Sequence, residues 1–272
     1  MEPSYFDFTT CPTPYFHFLP FTSNFETMTR TKKAGVEKKL AAKTSVLKKG
    51  VRVGSDSHIY FGSGSKAPFN KLSNFSKCNI TGKMWIFKGF NEYVLKEFVF
   101  PSSEHMWWAH FFVVERDVRR LAIGGDLSTL QGLEHFYEGE DLEKKISYWS
   151  RKDNVGIVAK LLAGKKGTNY RKRASDIGMC MTIHPCERYG PQGEDSTLWK
   201  IWKRILLAKY TQNRGHYSVL MGTKSKKLVE FTRAPMIRIE KEFWAGRVVD
   251  SNLYGGNYMG DCMVRIRDHL LG

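Results

Sequence analysis

The sequence predicts an α+β fold, a single largely helical domain with a small set of short strands. Three observations predict it. From Val51 onward short apolar runs alternate with longer stretches of helical spacing. No segment repeats at a fixed period. The 272 residues suffice for one well-buried domain plus an extension, not for two large domains.

The first 28 residues, rich in Phe, Thr and Pro, show neither helical nor strand periodicity. Residues 29–50, TRTKKAGVEKKLAAKTSVLKKG, favour helix by composition but carry too few apolar anchors for a core. Residues 1–50 therefore read as a poorly ordered basic extension and 51–272 as the folded domain. Ile59–Phe61 and Asn79–Phe87 read as strands, the second interrupted by a turn at Thr81-Gly82. Glu97–Phe100 is a third, ended by Pro101. Ser102 or Ser103 caps a helix running through EHMWWAHFFVVERD. Another helix spans Trp199–Thr211, with apolar residues at 199, 202, 205, 206 and 210 on one stripe. Between them, at about 114–195, lie charged helical stretches at 114–122 and 140–162, then the loop HPCERYGPQGED. No site is placed in that region.

The net charge is +16, and its distribution matters more than its size. Residues 1–28 carry three carboxylates and no Lys or Arg, and residues 29–52 carry nine Lys or Arg against Glu37. The remaining 220 residues are thus basic in their own right, at +11. That suits a phosphorylated small-molecule substrate and equally suits nucleic acid. Weak nucleic-acid binding through the basic tail is the sharper reading of 29–50 and a solvated linker the plainer one. No apolar window approaches the roughly 18 residues a membrane span requires, so no membrane partner is expected. Five cysteines, Cys11, Cys78, Cys180, Cys186 and Cys262, form no regular framework, and residues 1–28 lack the basic-then-apolar order of a secretory signal. An intracellular, reducing compartment is expected, cytoplasmic first, with the segment 29–50 compatible with nuclear import.

Four runs can carry chemistry. In FPSSEH, Glu104 falls in the first turn of a capped helix, where exposed N–H groups and the helix dipole favour a carboxylate, and His105 after it is a candidate substrate contact. A carboxylate in a pocket serves glycosidic cleavage, although Glu is also an ordinary helix-start residue. In YGGNYMGDCMVRIRD, Gly255, Gly256 and Gly260 permit close backbone approach, so amides there can meet a phosphate, but neither nucleotide fingerprint is present. In KEFWAGR, Trp244 can stack on a base while Glu242 meets ribose or water; a core tryptophan is the alternative. LSNFS, with Asn74 and Phe75, offers an amide and an aromatic for a heterocycle edge, or simply turn chemistry. Cys180, His184 and Cys186 lack a second ligand pair at zinc spacing, so no metal is expected. GKKGTNYRKR, 164–173, reads as a solvated basic loop before it reads as a nucleic-acid patch.

Taken in order, these runs resemble the NADAR (YbiA-like) family. LSNFS resembles its FSNF element, PSSEH its P-T-S-E-H, AKYTQN (208–213) its A-K-F-x-Q-N and KLVE (227–230) its K-L-V-E. FWAG followed by GGNYMGDCMVRIR resembles its W-G-x-G and closing glycine-asparagine signature. The resemblance covers about 58–270, with some fifty extra residues between Glu104 and Lys209. It implies a mixed, largely helical fold and hydrolysis of N-glycosidic bonds, in phosphoribosylated pyrimidine intermediates of riboflavin synthesis or in ADP-ribose conjugates, without metal or cofactor. It implies Glu104 as the essential glutamate, with His105 beside it, and Gly256 and Asn257 as the closing substrate loop. The family's tryptophan ahead of the A-K-F helix falls on Glu194, and its acid before W-G falls on Lys241. Trp199 and Glu242 stand nearest those places and are the expected substitutes. A lysine common after the E-H helix start is Phe111. A non-catalytic module that reads ADP-ribose or nucleic acid is the alternative these departures leave open.

Overall fold

In the computed structural model, which describes residues 51–52, 58–90, 92–162, 170–181, 197–231, 239 and 244–272, three small sheets carry the strands. β1 (Val51–Arg52) pairs with β7 (Asn252–Tyr254), and β7 pairs with β6 (Arg247–Val249). β2 (His58–Phe61) runs parallel to β5 (Lys227–Glu230). β3 (Ile80–Gly89) and β4 (Glu92–Phe100) form a long antiparallel hairpin, with Ile80 opposite Phe100 and Phe87 opposite Tyr93. The fold is α+β, with helices predominating over these short sheets.

The turn expected at Thr81-Gly82 is not there, and β3 runs straight through it. Ile80, Met84 and Ile86 alternate onto the buried face, and Gly82 belongs to the same face. Met106 fills the space a Cβ at Gly82 would need, so this glycine serves close packing and not a bend.

Pro101 and the Ser102 cap start α1 (Ser103–Ala109), every residue of which is buried. The helix expected to continue through Asp117 instead stops at Ala109. Phe111 and Phe112 turn into the core, and the Val113 carbonyl accepts the Phe87 N–H at 2.8 Å, which pulls the chain into extended form. α2 (Glu115–Leu121) follows. The helical stretch expected over 140–162 divides into α3 (Gly139–Ser150) and α4 (Ile157–Leu161), separated by Asp153 in the left-handed region at φ 52°. α5 (Tyr170–Asp176) contains the end of the 164–173 basic run, whose first part lies outside the described residues, as do the readings for 1–50 and 184–195.

α6 (Thr197–Gln212) matches the helix read from the apolar stripe, burying Trp202, Ile205, Leu206 and Tyr210 against α1 and β3. Its last residue and the next splice it to the hairpin. The Gln212 amide bonds the backbone of Thr81 on both sides (2.7 and 3.1 Å), and the Asn213 amide does the same for Asn79 (3.3 and 2.8 Å). The Q-N of AKYTQN is therefore a strand-edge seal. α7 (Arg214–Gly222) and α8 (Tyr258–Leu271) complete the core, α8 lying on β5. Gly260 makes that approach feasible, because the Leu228 carbonyl stands where its Cβ would be. No described helix is long and apolar enough to cross a membrane.

Candidate active site around Glu104

The start of α1 is fixed by a closed hydrogen-bond circuit. Ser102 Oγ accepts the His105 N–H at 3.3 Å and lies 2.8 Å from His105 Nδ1, while Nε2 lies 2.9 Å from the Leu127 carbonyl. A carbonyl only accepts, so Nε2 carries the proton and Nδ1 accepts the Ser102 hydroxyl. Burial keeps the imidazole neutral, pushing its pKa down to about 4. Read from the sequence as a substrate contact, His105 has both ring nitrogens engaged inside the protein; it positions the helix that carries Glu104.

Glu104 is 3 % exposed, and its own N–H donates to the Asn74 carbonyl at 3.1 Å. Its Oε1 accepts the Trp108 indole N–H at 3.1 Å and stands 3.5 Å from the Lys160 ammonium. Oε2 accepts no hydrogen bond from any described residue. A buried carboxylate requires partners, and those among the described residues sit on one oxygen.

LSNFS lies directly against this helix start. The Ser73 carbonyl accepts the Lys209 ammonium at 2.8 Å and the Ser76 hydroxyl at 2.8 Å, and the Phe75 N–H donates to Ser73 Oγ at 3.2 Å. Lys209 is fully enclosed, and burial pushes its pKa down to about 8. The loop is held so firmly that Asn74 is 5 % exposed, with Oδ1 buried and without a hydrogen-bond partner among the described residues. This buried acceptor belongs to the residue whose backbone carbonyl receives the Glu104 N–H. Phe75 is partly exposed on the same loop.

The site's other wall comes from the region in which the sequence placed nothing. The Gly156 N–H donates to the Phe75 carbonyl at 3.0 Å, and Lys77 N–H to the Asp153 carbonyl at 3.0 Å. A Cβ at Gly156 would lie 2.6 Å from Phe75 Cα, 2.8 Å from Ser102 Oγ and 3.2 Å from Glu104 Cβ, so only glycine lets these segments meet. One turn on, α4 presents Lys160 to Glu104. Trp108, four residues after Glu104, was within reach of the sequence through helical spacing; Gly156, Lys160 and the enclosed Lys209 left no local signal of a role here.

One turn along α1, Trp107 stacks on Trp202 of α6 at 4.7 Å and 17°. Trp244 sets an edge against both, at 6.3 Å from each. Trp244 is thus joined to Glu104's helix through Trp107, and it keeps part of its surface exposed. Trp199 has its backbone in α6, while its side chain lies outside the described residues, as does Glu242. The glycine turn holds Trp244 through backbone bonds: Asn257 N–H to the Ala245 carbonyl at 3.2 Å and Met259 N–H to the Trp244 carbonyl at 3.1 Å. Asn257, at φ 49°, accepts the Glu230 N–H (3.1 Å) and donates to the Leu228 carbonyl (2.9 Å) and Asp261 (3.2 Å). Its amide ties β5 to α8 and so has structural work at the place where substrate contact was expected. Gly256 beside it is partly exposed.

Among the described residues no group of three or more His, Cys, Asp or Glu is placed to hold a metal ion. Cys78 and Cys262 are buried free thiols, whereas Cys180 is disulfide-bonded, a feature that the reading of a reducing compartment did not include.

No family model and no curated protein matches the chain. Among solved structures it is similar to the NMR structure of the E. coli protein YbiA, at 18% identity over 81% of this chain and 88% of that one, with a TM-score of 0.37. A likeness at that score fixes neither activity nor substrate.

Proposed function

We propose that the protein is an N-glycosidase that hydrolyses the bond between a ribose phosphate and a heterocyclic base. One observation carries the proposal: Glu104 is buried with Oε1 held by Trp108 and Lys160, while Oε2 accepts no hydrogen bond from a described residue. Cleavage of a ribosyl C1′–N bond passes through an oxocarbenium-like state, and a fixed carboxylate lowers its energy without reorganising. Water adds its hydroxyl to C1′, and its proton leaves with the base nitrogen. Oε2 of Glu104 stabilises C1′ or orients that water, Asn74 Oδ1 accepts a donor from the base or ribose, and exposed Trp244 surface stacks on the ring. Glu242 and Trp199 remain the proposed assisting carboxylate and tryptophan, with Phe75 and Gly256 as proposed contacts. The +11 body suits a phosphorylated substrate. Of the two substrate branches, phosphoribosylated pyrimidines and ADP-ribose conjugates, both contain this bond.

The experiment is release of ribose 5-phosphate from phosphoribosylated pyrimidines, with an ADP-ribosylated nucleobase in parallel. Glu104→Gln, equal in shape and uncharged, is expected to abolish release and leave thermal melting within about 1 kcal/mol of wild type. Binding of either compound without release by the intact protein would replace the enzyme with a ligand-reading module.

A further inference from the structure

Away from Glu104, a groove of about 910 Å³ runs between β4 and α2, lined by Glu97, Phe98, Val99, Arg116, Arg119 and Ile123 among others. Its strand side is an open edge. In an antiparallel ladder, opposed residues alternate between pairs that exchange both backbone bonds and pairs whose N–H and C=O point outward. The outward pairs of this hairpin are marked by their partners. Thr81 bonds Gln212, Phe87 N–H bonds Val113, and the Val99 carbonyl accepts Ile123 N–H at 2.7 Å. In the same register Phe87 faces Tyr93, Trp85 faces Leu95 and Lys83 faces Glu97. The N–H and C=O of Tyr93, Leu95 and Glu97 therefore point away from β3, and no other described strand pairs with β4 there.

The two sides of that edge differ chemically. On the outer side Leu95 (48 % exposed) and Val99 (38 %) continue into Trp85 and Ile123, both at least half exposed. On the inner side α2 offers Arg116 and Arg119, their side chains 68 % and 66 % exposed, with the Arg119 guanidinium 5.8 Å over the Phe98 ring. Arg119 gives Nε and Nη2 to Glu115, and Arg116 gives Nε to Asp117 and Nη2 to the Gly178 carbonyl, so donors remain on each fork. Glu115 is already matched by Lys88, Lys96 and Arg119, and Glu97 lies on the outer face opposite Lys83.

We propose that the open edge of β4, with the arginine face of α2 beside it, docks an extended peptide of alternating apolar and acidic residues, which adds a third strand to the hairpin. Backbone bonds to Leu95 and Glu97 give affinity. Side chains alternate along a strand, so apolar residues meet Leu95 and Val99 while acidic ones meet Arg116 and Arg119. A second copy is the poorer occupant, because a chain of net charge +16 would bring like charges together at this edge.

The test uses the full chain and a fluorescein-labelled Val-Glu alternating octapeptide, read by fluorescence anisotropy. Controls are a peptide of equal charge with prolines at the central apolar places and a Val-Lys octapeptide. Saturable binding of the Val-Glu peptide is expected, at least about tenfold tighter than either control. Leu95→Pro removes an outward N–H without removing a ladder bond, and it should weaken binding about tenfold. The double variant Arg116→Glu/Arg119→Glu should shift preference toward the Val-Lys peptide, which tests the site even if Leu95→Pro fails to fold. Equal binding of the proline peptide, or unchanged preference in the double variant, would overturn the proposal. So would self-association, seen by sedimentation, with no peptide binding.

Discussion

The Lys160 ammonium stands 3.5 Å from Oε1 of Glu104, although the two residues come from helices separated by α2 and α3 and by the stretch that the sequence left unread. The lysine side chain is half exposed and the glutamate nearly enclosed, so the pair joins solvent to a buried charge. Because Lys160 and Trp108 share one carboxylate oxygen, they define which way the other oxygen faces. That orientation is what the proposed reaction uses.

Lys160→Met should therefore lower kcat by about tenfold, the scale of one charge-assisted contact. KM should change little, and stability by less than about 1 kcal/mol, since the ammonium is half solvated. Lys160→Arg should restore most of the rate. Steady-state kinetics of ribose 5-phosphate release, with thermal melts of the same samples, make the comparison, and a KM effect alone would reassign Lys160 to substrate binding.

Trp108→Phe keeps a ring in the core but removes the N–H that Glu104 accepts at 3.1 Å. Leaving that buried acceptor short of its donor should cost about 1–3 kcal/mol. The urea midpoint should fall accordingly, and turnover should drop with it. If the Glu104→Gln/Trp108→Phe double variant loses less stability than the two singles summed, the residues are coupled as the geometry states; additive losses would mean that they act independently.

Acid sensitivity follows from His105. Its folded pKa is lowered to about 4, below the ordinary 6.5, so above pH 6.5 the ring is neutral whether folded or not. Between 6.5 and 4 the unfolded chain takes up a proton that the folded one refuses, and stability falls as pH falls. The loss should approach about 3 kcal/mol once pH has passed through 4. His216, lowered to about 3 by burial and by the nearby Lys209 and Lys71 charges, acts in the same direction. Urea unfolding at stepped pH checks this, and His105→Asn should remove a large part of the slope.

Lys209 acts with the same sign in an alkaline window. Its folded pKa is near 8 against an ordinary 10.5, so below 8 the fold carries a buried charge; as pH rises from 8 to 10.5 that cost is relieved and stability gains. Cys78 and Cys262, pushed up to about 11 and 12, pull the other way at high pH. The informative quantity is the difference between wild type and Lys209→Met, which should shift in favour of wild type across that range. The same variant loses the bond to the Ser73 carbonyl, so it should also loosen LSNFS and reduce turnover.

The sequence by itself determined what local chemistry can encode. The apolar run over 79–87 specified a strand, Pro101 with Ser102 or Ser103 specified where α1 begins and hence that Glu104 sits in its first turn, and the apolar stripe that includes Trp202 and Tyr210 specified α6. Each is a matter of spacing or of a backbone hydrogen bond a few residues long. Tertiary structure decided the rest. Gly82 reads as a turn in isolation and is a packing notch only because Met106 arrives above it. The EHMWWAHFFVVERD helix stops early only because the edge of β3 offers Phe87's N–H to Val113. Asn257 looks like a ligand contact until β5 and α8 take up its amide. Gly156, Lys160 and Lys209 acquire meaning only when segments far apart in the chain meet at Glu104, since the space, charge and hydrogen bonds that define them belong to contacts no local window of sequence contains.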